Sequence, residues 1–447
     1  MRKKLKLLSL ILAICLTFAA CSSSSGSSSF DDSYYDGDDT EQIDQMSDNE
    51  NESAKPMHKT DIPSGYIGIY TVEDLKNSGA NETANYILMN DIDLSSIADW
   101  EGINNNGTFD GNNYTISNLH STQGGLFQKS KYVKDLTVKD CVIDVGFSEE
   151  KDKFVGGITD IGCSLSNCSV SGTIQLELFD NCGVTKKYAV GGLMGHQEKQ
   201  DTSKIYGCLN LAEVTGSNSS NGIGHSYDLF VGGIVGLGCA VEYCENRASI
   251  ELKLGEKECD QGWDHSAAGG IIGSVYMQAG NISYSSNSGD VSTGYYGGGI
   301  LGFCYEESSS TALTIDSCYN TGNITGVNTR LGTETSVGGV CGYILHYKPI
   351  RETTKSKIMN CYNTGTCLSA DYCGAVLGYK LEEDATQIQF CAYNNSTGLN
   401  ITGTNAMYAD NKSMSLEEMK DLNNYPFTNK DSVWKNGTVK YPYPVFK

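Results

Sequence analysis

The stretch VGGIVGLGCAVEYCENRASIEL, from Val231 to Leu252, holds a glycine doublet, a short apolar run, a cysteine, an asparagine and a second apolar run. The same order returns as VGGITDIGCSLSNCSVSGTI from Val155, and in shorter form as VGGLMG from Val190, AGGIIG from Ala268, GGGILG from Gly297, VGGVCG from Val337 and CGAVLG from Cys373. With QGGL at Gln123, units start at residues 123, 155, 190, 231, 268, 297, 337 and 373, so the spacing runs from 29 to 41 residues. A period in that range belongs to solenoids and arrays, in which one unit cannot bury its apolar face alone and its neighbours do so. Ile and Val alternate with small polar residues, Gly and Asn punctuate every few residues, and no stripe of period 3.6 appears. The units are therefore read as strands.

The second half of the unit repeats as aliphatic, Cys or Ser, then Asn: Ile205-Cys208-Asn210, Val241-Cys244-Asn246, Ile282-Ser285-Asn287, Ile315-Cys318-Asn320 and Ile358-Cys361-Asn363. A small residue and a further aliphatic follow, as in Gly289 and Val291 or Gly322 and Ile324. This predicts three short strands per coil, stacked on their equivalents about 4.8 Å away, with Ile, Cys and Val columns inside. The doublets are expected at bends that need positive φ. The Asn column is expected to be a left-handed bend residue whose amide also bonds its neighbour in the stack. Varying spacing falls to loops such as HYKPIRETTKSK after Leu345.

The chain begins MRKKLKLLSLILAICLTFAAC, with four cationic residues, an apolar run from Leu7 to Phe18 and two alanines before Cys21. This is an export signal, and its end resembles a bacterial lipobox, with Phe18 where Leu is usual; the resemblance implies cleavage before Cys21 and lipidation of that thiol. Residues 22 to about 61 are rich in Ser, Asp and Glu and cannot bury enough apolar surface to fold, so they read as a disordered tether with an r.m.s. reach of roughly 35 Å. The expected organisation is residues 1–20 as signal, 21–61 as acidic tether, 62–122 as N-terminal cap and first coils, 123–403 as repeats and 404–447 as C-terminal cap.

A formal charge of -22 argues against nucleic acid, whose binding rests on Lys and Arg. It also disfavours a polyanionic ligand. Of the 17 cysteines, Cys208, Cys244, Cys318, Cys361 and Cys391 share one repeat position. In-register side chains point alike, which opposes the 90° twist of a disulfide, so buried free thiols are expected. Cys163 with Cys168 and Cys239 with Cys244 are the pairs best spaced for disulfides.

VGGIVG, VGGLMG and GGGILG, each followed by the aliphatic, Cys and Asn pattern, resemble the GLUG repeat of bacterial surface proteins. IYTVEDLKN, YILMNDIDLSS and GTFDGNNYTISNL resemble the segment preceding such repeats in exported proteins, including IgA-specific metallopeptidases of the M26 type. MSLEEMKDLNNYPF and SVWKNGTVKYPYP resemble the usual closing segment. The resemblance covers about residues 66–447 and implies an all-β, right-handed parallel β-helix with a short N-terminal capping segment, a C-terminal cap and a cell-surface location. It implies no defined activity.

Catalytic signatures are weak. The six histidines are scattered, none lies in HExxH, and GHSYD at Gly224 lacks the glycine that completes a nucleophile elbow. The arginines lie in different units, and no Asp cluster stacks in the repeats as a glycan-cleaving β-helix would need. Asp91, Asp93 and Asp110 could offer oxygens to calcium, but the favoured reading makes Asp110-Gly111 a hairpin turn and Asp91 and Asp93 bend caps. No catalytic residue, metal or cofactor is expected.

One feature points to binding. Phe303, Tyr343 and Tyr379 follow the GGxxG core in three successive units, opposite the inward Ile300, Val340 and Val376, and form an outward aromatic ladder able to hold sugar rings or partner side chains. Loops 305–314 and 345–357 are the alternative cover for it. The sequence thus reads as a lipid-anchored scaffold on the extracellular side of a membrane, binding a host or cell-wall glycan or protein. A polysaccharide-degrading β-helix and a purely structural envelope spacer remain the alternatives.

Overall fold

The structure, a computed structural model, describes residues 57–447 apart from 180–181, 183–185, 199–201, 219–227, 256–264, 307–311, 328–333, 347–354, 369–370, 380–385 and 405–408. The signal, most of the tether and Cys21 lie outside the described residues.

Three parallel sheets, of 17, 16 and 7 strands, form the coils of a parallel β-helix and are called here sheets I, II and III. One repeat shows the path: Tyr296–Gly298 in sheet III, Leu301–Glu306 and Leu313–Asp316 in sheet I, then Tyr319–Asn320 and Ile324–Gly326 in sheet II. The next repeat lies in register upon it, Tyr296 beside Ser336, Leu301 beside Cys341 and Asn320 beside Asn363. The predicted stacking is therefore present, and Ile234, Ile271, Ile300, Val340 and Val376 form one fully buried column. Each amide in that column donates to the carbonyl of the next coil at 2.9–3.1 Å, so the bends are hydrogen-bonded like the strands.

Among the glycine doublets only the first meets the expectation, with Gly124 at φ 156°, and the others differ from it. Gly269 and Gly270 do not have positive φ. They are needed for space: a Cβ on Gly269 would strike the Ile272 carbonyl, and one on Gly270 would strike both the Gly299 carbonyl and the Asn287 side chain.

The Asn column is likewise corrected. Asn210, Asn246, Asn287, Asn320 and Asn363 are buried and none has positive φ. Their amides form a continuous ladder, Asn210 to Asn246 and Asn246 to Asn287 at 2.7 Å, then Asn287 to Asn320 and Asn320 to Asn363 at 2.8 Å. The left-handed residue lies just before the Cys column instead, at the bend from sheet I to sheet II: Asn167, Gly207, Tyr243, Tyr284, Ser317, Asn360 and Phe390 all have φ between 47° and 61°.

None of the fourteen described cysteines is in a disulfide, and all but Cys373 are buried. Cys163, Cys168, Cys239 and Cys244 are among them, so neither proposed pair is bridged. The column thiols instead donate to carbonyls two residues back, Cys361 to Met359 at 3.1 Å and Cys168 to Ser166 at 3.2 Å. Ser285 does the same to Ser283 at 2.8 Å, which explains why Ser replaces Cys there.

The N-terminal end is closed by helix Val72–Ser78, which starts with a reciprocal Thr71 and Asp74 capping box and buries Leu75. The Asp110 turn is not a hairpin. It joins parallel strands in sheets I and II, with Asn112 and Asn113 at φ 50° and 60°. At the other end, Lys412–Met414 adds a strand to sheet II. The chain then folds back along the outer face of that sheet as a strap, packing Tyr425, Phe427 and Trp434 on Tyr319, Tyr362 and Ala392. The closing segment thus covers a side as well as an end. Among the described residues, no helix is long and apolar enough to cross a membrane.

Candidate functional site: an aromatic cleft between two sheets

From the doublet at Gly156 onward the chain passes from sheet III to sheet I, and the residues facing away from the central core on the two sheets meet. On sheet III the residue before the inward Val or Gly forms an in-register column that includes Phe230, Ala267, Tyr296, Ser336 and Tyr372. On sheet I the facing column includes Leu237, Ser274, Phe303, Tyr343 and Tyr379. Together they make an apolar cluster separate from the central core.

The rings interlock across the bend. Tyr296 lies 5.2 Å from Phe303 and 4.9 Å from Tyr343, and Tyr372 lies 4.4 Å from Tyr379. Near the other end Phe154 stacks on His196 at 4.7 Å. His265 lies flat over Phe303 at 5.0 Å and is held by its backbone amide donating to Asp228 at 3.1 Å. Tyr276 stacks on Tyr305 at 5.0 Å and carries the Lys187 ammonium 3.6 Å above its ring.

The predicted ladder of Phe303, Tyr343 and Tyr379 is thus in register and turned away from the core, as expected. It is not displayed, however: Phe303 is 0% and Tyr343 7% exposed, while Tyr379 is half-buried. The cause is the fold of sheet III against sheet I, which lays Tyr296 and His265 on the row. Tyr276, Tyr295, Tyr372 and Phe154 were not anticipated and are half-buried in the same cleft. A signal for part of them exists, since Phe154, Phe230, Tyr296 and Tyr372 each stand directly before the doublet motif.

Burial governs the charges here. It holds the Lys187 ammonium below its ordinary value, opposed by Asp228 and Asp152. It also pushes the His196 imidazole down, opposed by the Leu237 carbonyl. The cleft therefore presents rings, one shielded ammonium and an imidazole that favours its neutral form.

Elsewhere the polar groups hold the fold. Asp91 accepts from the Thr115 amide at 2.8 Å, and Asp93 from the Ser95 amide and Asn118 at 2.9 and 2.8 Å. Asp110 accepts from the Asn112 amide at 2.8 Å and pairs with Lys59 and Lys134 at 2.7 and 3.2 Å. Among the described residues, no group of three His, Cys, Asp or Glu side chains could hold a metal. A buried set joins Ser356, Glu306 and His346: the Ser356 hydroxyl donates to Glu306 Oε1 at 2.5 Å, and His346 Nδ1 lies 2.9 Å from Glu306 Oε2. In a hydrolase triad the imidazole bridges hydroxyl and carboxylate. Here the carboxylate is in the middle, and the Leu313 amide also donates to it at 2.9 Å, so the set ties neighbouring coils.

No family profile matches the sequence, and no curated protein matches it. Among solved structures, a candidate immunoglobulin A1 protease from Bacteroides ovatus is 18% identical with a TM-score of 0.40, over 85% of this chain and 91% of that one. A chain named IgA1 protease is 16% identical with a TM-score of 0.42, over 72% of this chain and 21% of that one. At such values neither likeness carries weight for activity.

Proposed function

We propose that this chain is a non-catalytic adhesive scaffold, held at the cell surface by a lipid on Cys21 and binding a glycan or protein along the cleft between sheets III and I. The observation that carries the reading is the register of that cleft, where sheet I sets Phe303, Tyr343 and Tyr379 on three successive coils and sheet III sets Phe230, Tyr296 and Tyr372 on alternate ones. A rigid row of rings fits a repetitive ligand, because ring contacts recur along it at whole multiples of the strand spacing. Phe303 and Tyr343 form the floor, and the half-buried Phe154, Tyr276, Tyr372 and Tyr379 supply accessible ring surface. The GLUG-type repeats, the lipobox and the acidic tether support the surface setting. The non-catalytic reading is supported by the order of the buried Ser356, Glu306 and His346 set, which is wrong for activating a nucleophile.

The test places residues 22–447 on an immobilised panel of host glycans, mucins, matrix proteins and cell-wall polysaccharides, reading retention and released fragments together. Saturable retention without release is expected, weakened by Tyr372→Ala plus Tyr379→Ala. Release of reducing or unsaturated sugar ends, or of protein fragments, would establish an enzyme instead. A complete lack of retention would favour the envelope spacer.

A further inference from the structure

The bend between sheets I and II carries a second aromatic feature, at a different corner from the cleft. Its left-handed position is filled by Gly207, Ser317 and Asn360 in some coils but by Tyr243 and Tyr284 in two adjacent ones, at φ 52° and 47°. Gly and Asn tolerate this conformation, whereas a bulky aromatic residue is strained there. The two rings are half-buried and stack face to face at 4.7 Å and 16°, with Tyr206 edge-on to Tyr243 at 5.4 Å.

Ring contacts lead from Tyr284 to the chain's own C-terminal strap. Phe446 lies 5.2 Å from Tyr319 and meets Tyr284 edge-on at 6.4 Å. The preceding residues YPYPV lie on the next coils, where the Tyr362 hydroxyl donates to the Pro444 carbonyl at 2.7 Å and Tyr441 packs 6.2 Å from Tyr319. The strap thus demonstrates what this corner of the solenoid accepts: a bent segment alternating Pro with rings, flanked by Lys440 and Lys447 and ending in the short strand Val445–Phe446. Past Phe446 the ring contacts run on through Tyr284 and Tyr243 to Tyr206, which stands one residue before the column position of its coil.

We propose that the Tyr206, Tyr243 and Tyr284 rings form a docking strip for a lysine-flanked peptide rich in proline and aromatic residues, a partner built like the resident strap. Ring chemistry favours a peptide over a sugar. The facing surfaces of Tyr243 and Tyr284 are used on each other, so the strip offers ring edges and hydroxyls, which suit the faces of partner rings and the carbonyls before proline. Charge favours lysine in the partner at the Tyr284 end, where Asp316 faces that phenol; at the other end Glu242 is already paired with Lys204, which lies over the Tyr206 ring.

The experiment titrates the full chain into a fluorescein-labelled peptide of residues 438–447, TVKYPYPVFK, followed by anisotropy, with cello- and chito-oligosaccharides run alongside. Saturable peptide binding is expected, weakened about tenfold in Tyr243→Gly and in Tyr284→Gly. Gly fits the bend, as Gly207 shows at φ 61°, so circular dichroism should remain that of the parent. Tyr362→Phe, which loosens the resident strap, should leave binding at this strip unchanged. Binding that survives both Gly variants and rises in Tyr362→Phe would mean exchange with the strap and would overturn the proposal. Lack of peptide binding would overturn it too, as would oligosaccharide binding lost in Tyr243→Gly.

Discussion

Gly270 abuts Asn287 across the interior of one coil, so closely that a Cβ on the glycine would strike the asparagine side chain. The Asn287 amide donates to Asn320 at 2.8 Å and its oxygen accepts from Asn246 at 2.7 Å. Gly233 meets Asn246, Gly299 meets Asn320 and Gly339 meets Asn363 in the same way. The doublet and the asparagine, distant along the chain, are therefore two halves of one contact, which ties sheet II to the bend between sheets III and I. That is why they recur together.

Asn287→Ala should cost about 2–3 kcal/mol, because it strips partners from Asn246, Asn320 and the Gly289 carbonyl inside a buried ladder. Gly270→Ala should destabilise at least as much through the collision with Gly299 and Asn287. Chemical denaturation of both variants checks this, and a loss under about 0.5 kcal/mol for either, the range of an ordinary surface change, would contradict it.

The buried thiols should be inert while the chain is folded. Burial holds Cys168, Cys208, Cys361 and Cys391 well above the ordinary thiol value, and the thiolate is the reactive form. Iodoacetamide at pH 8 should modify Cys373 before any other described cysteine, since it alone is half-exposed. Denaturant should open the rest, as read by peptide mass spectrometry. A mass loss of two hydrogens before labelling would reveal a disulfide instead.

The strand repeat was legible because stacking demands the same residue type at the same place in each coil. The left-handed column was not, since Asn167, Gly207, Tyr243, Ser317 and Phe390 share that conformation without sharing a side-chain type. The Asn column carried the opposite ambiguity: Asn fits both a positive φ and an amide ladder, and residue type alone does not separate them. Alternation correctly turned Phe303 away from Ile300, yet it reports only the side of its own sheet. It says nothing of a neighbouring sheet folding onto that side, and so the burial under Tyr296 and His265 went unread. The closing segment was legible as a cap, but its docking along sheet II has no local signal, because its apolar residues find Tyr319 and Tyr362 only through tertiary folding.

Tyr343 and Tyr379 share a column but should respond differently to truncation. Tyr343→Ala empties a site enclosed by Tyr296, Phe303 and Tyr379 and should cost about 3 kcal/mol. Tyr379→Ala, at the half-buried end, should cost clearly less. Thermal melts of the two variants decide it, and equal losses would show that the cleft floor is not packed as described.

Asp160 gives a prediction with a definite sign. It stands where other repeats have Gly195, Gly236 or Gly273, at the first coil with a sheet III strand, and its Oδ1 accepts from the Gly125 and Gly156 amides at 2.8 and 3.1 Å. Burial nevertheless dominates and pushes its carboxyl up to about 7, against the nearby Lys153 and those two amides. The unfolded chain releases this proton near pH 4. The folded state therefore holds the proton over a window from about 4 to 7, in which this group lowers stability as pH rises, by up to about 4 kcal/mol in all. Asp160→Asn keeps an oxygen for both amides and removes the titration. The variant should match the parent near pH 4 and become more stable than it above pH 7, in denaturant midpoints measured across that range. Parallel curves for the two proteins would mean that the carboxylate is already well solvated or fully paired, and that desolvation does not control this edge of sheet III.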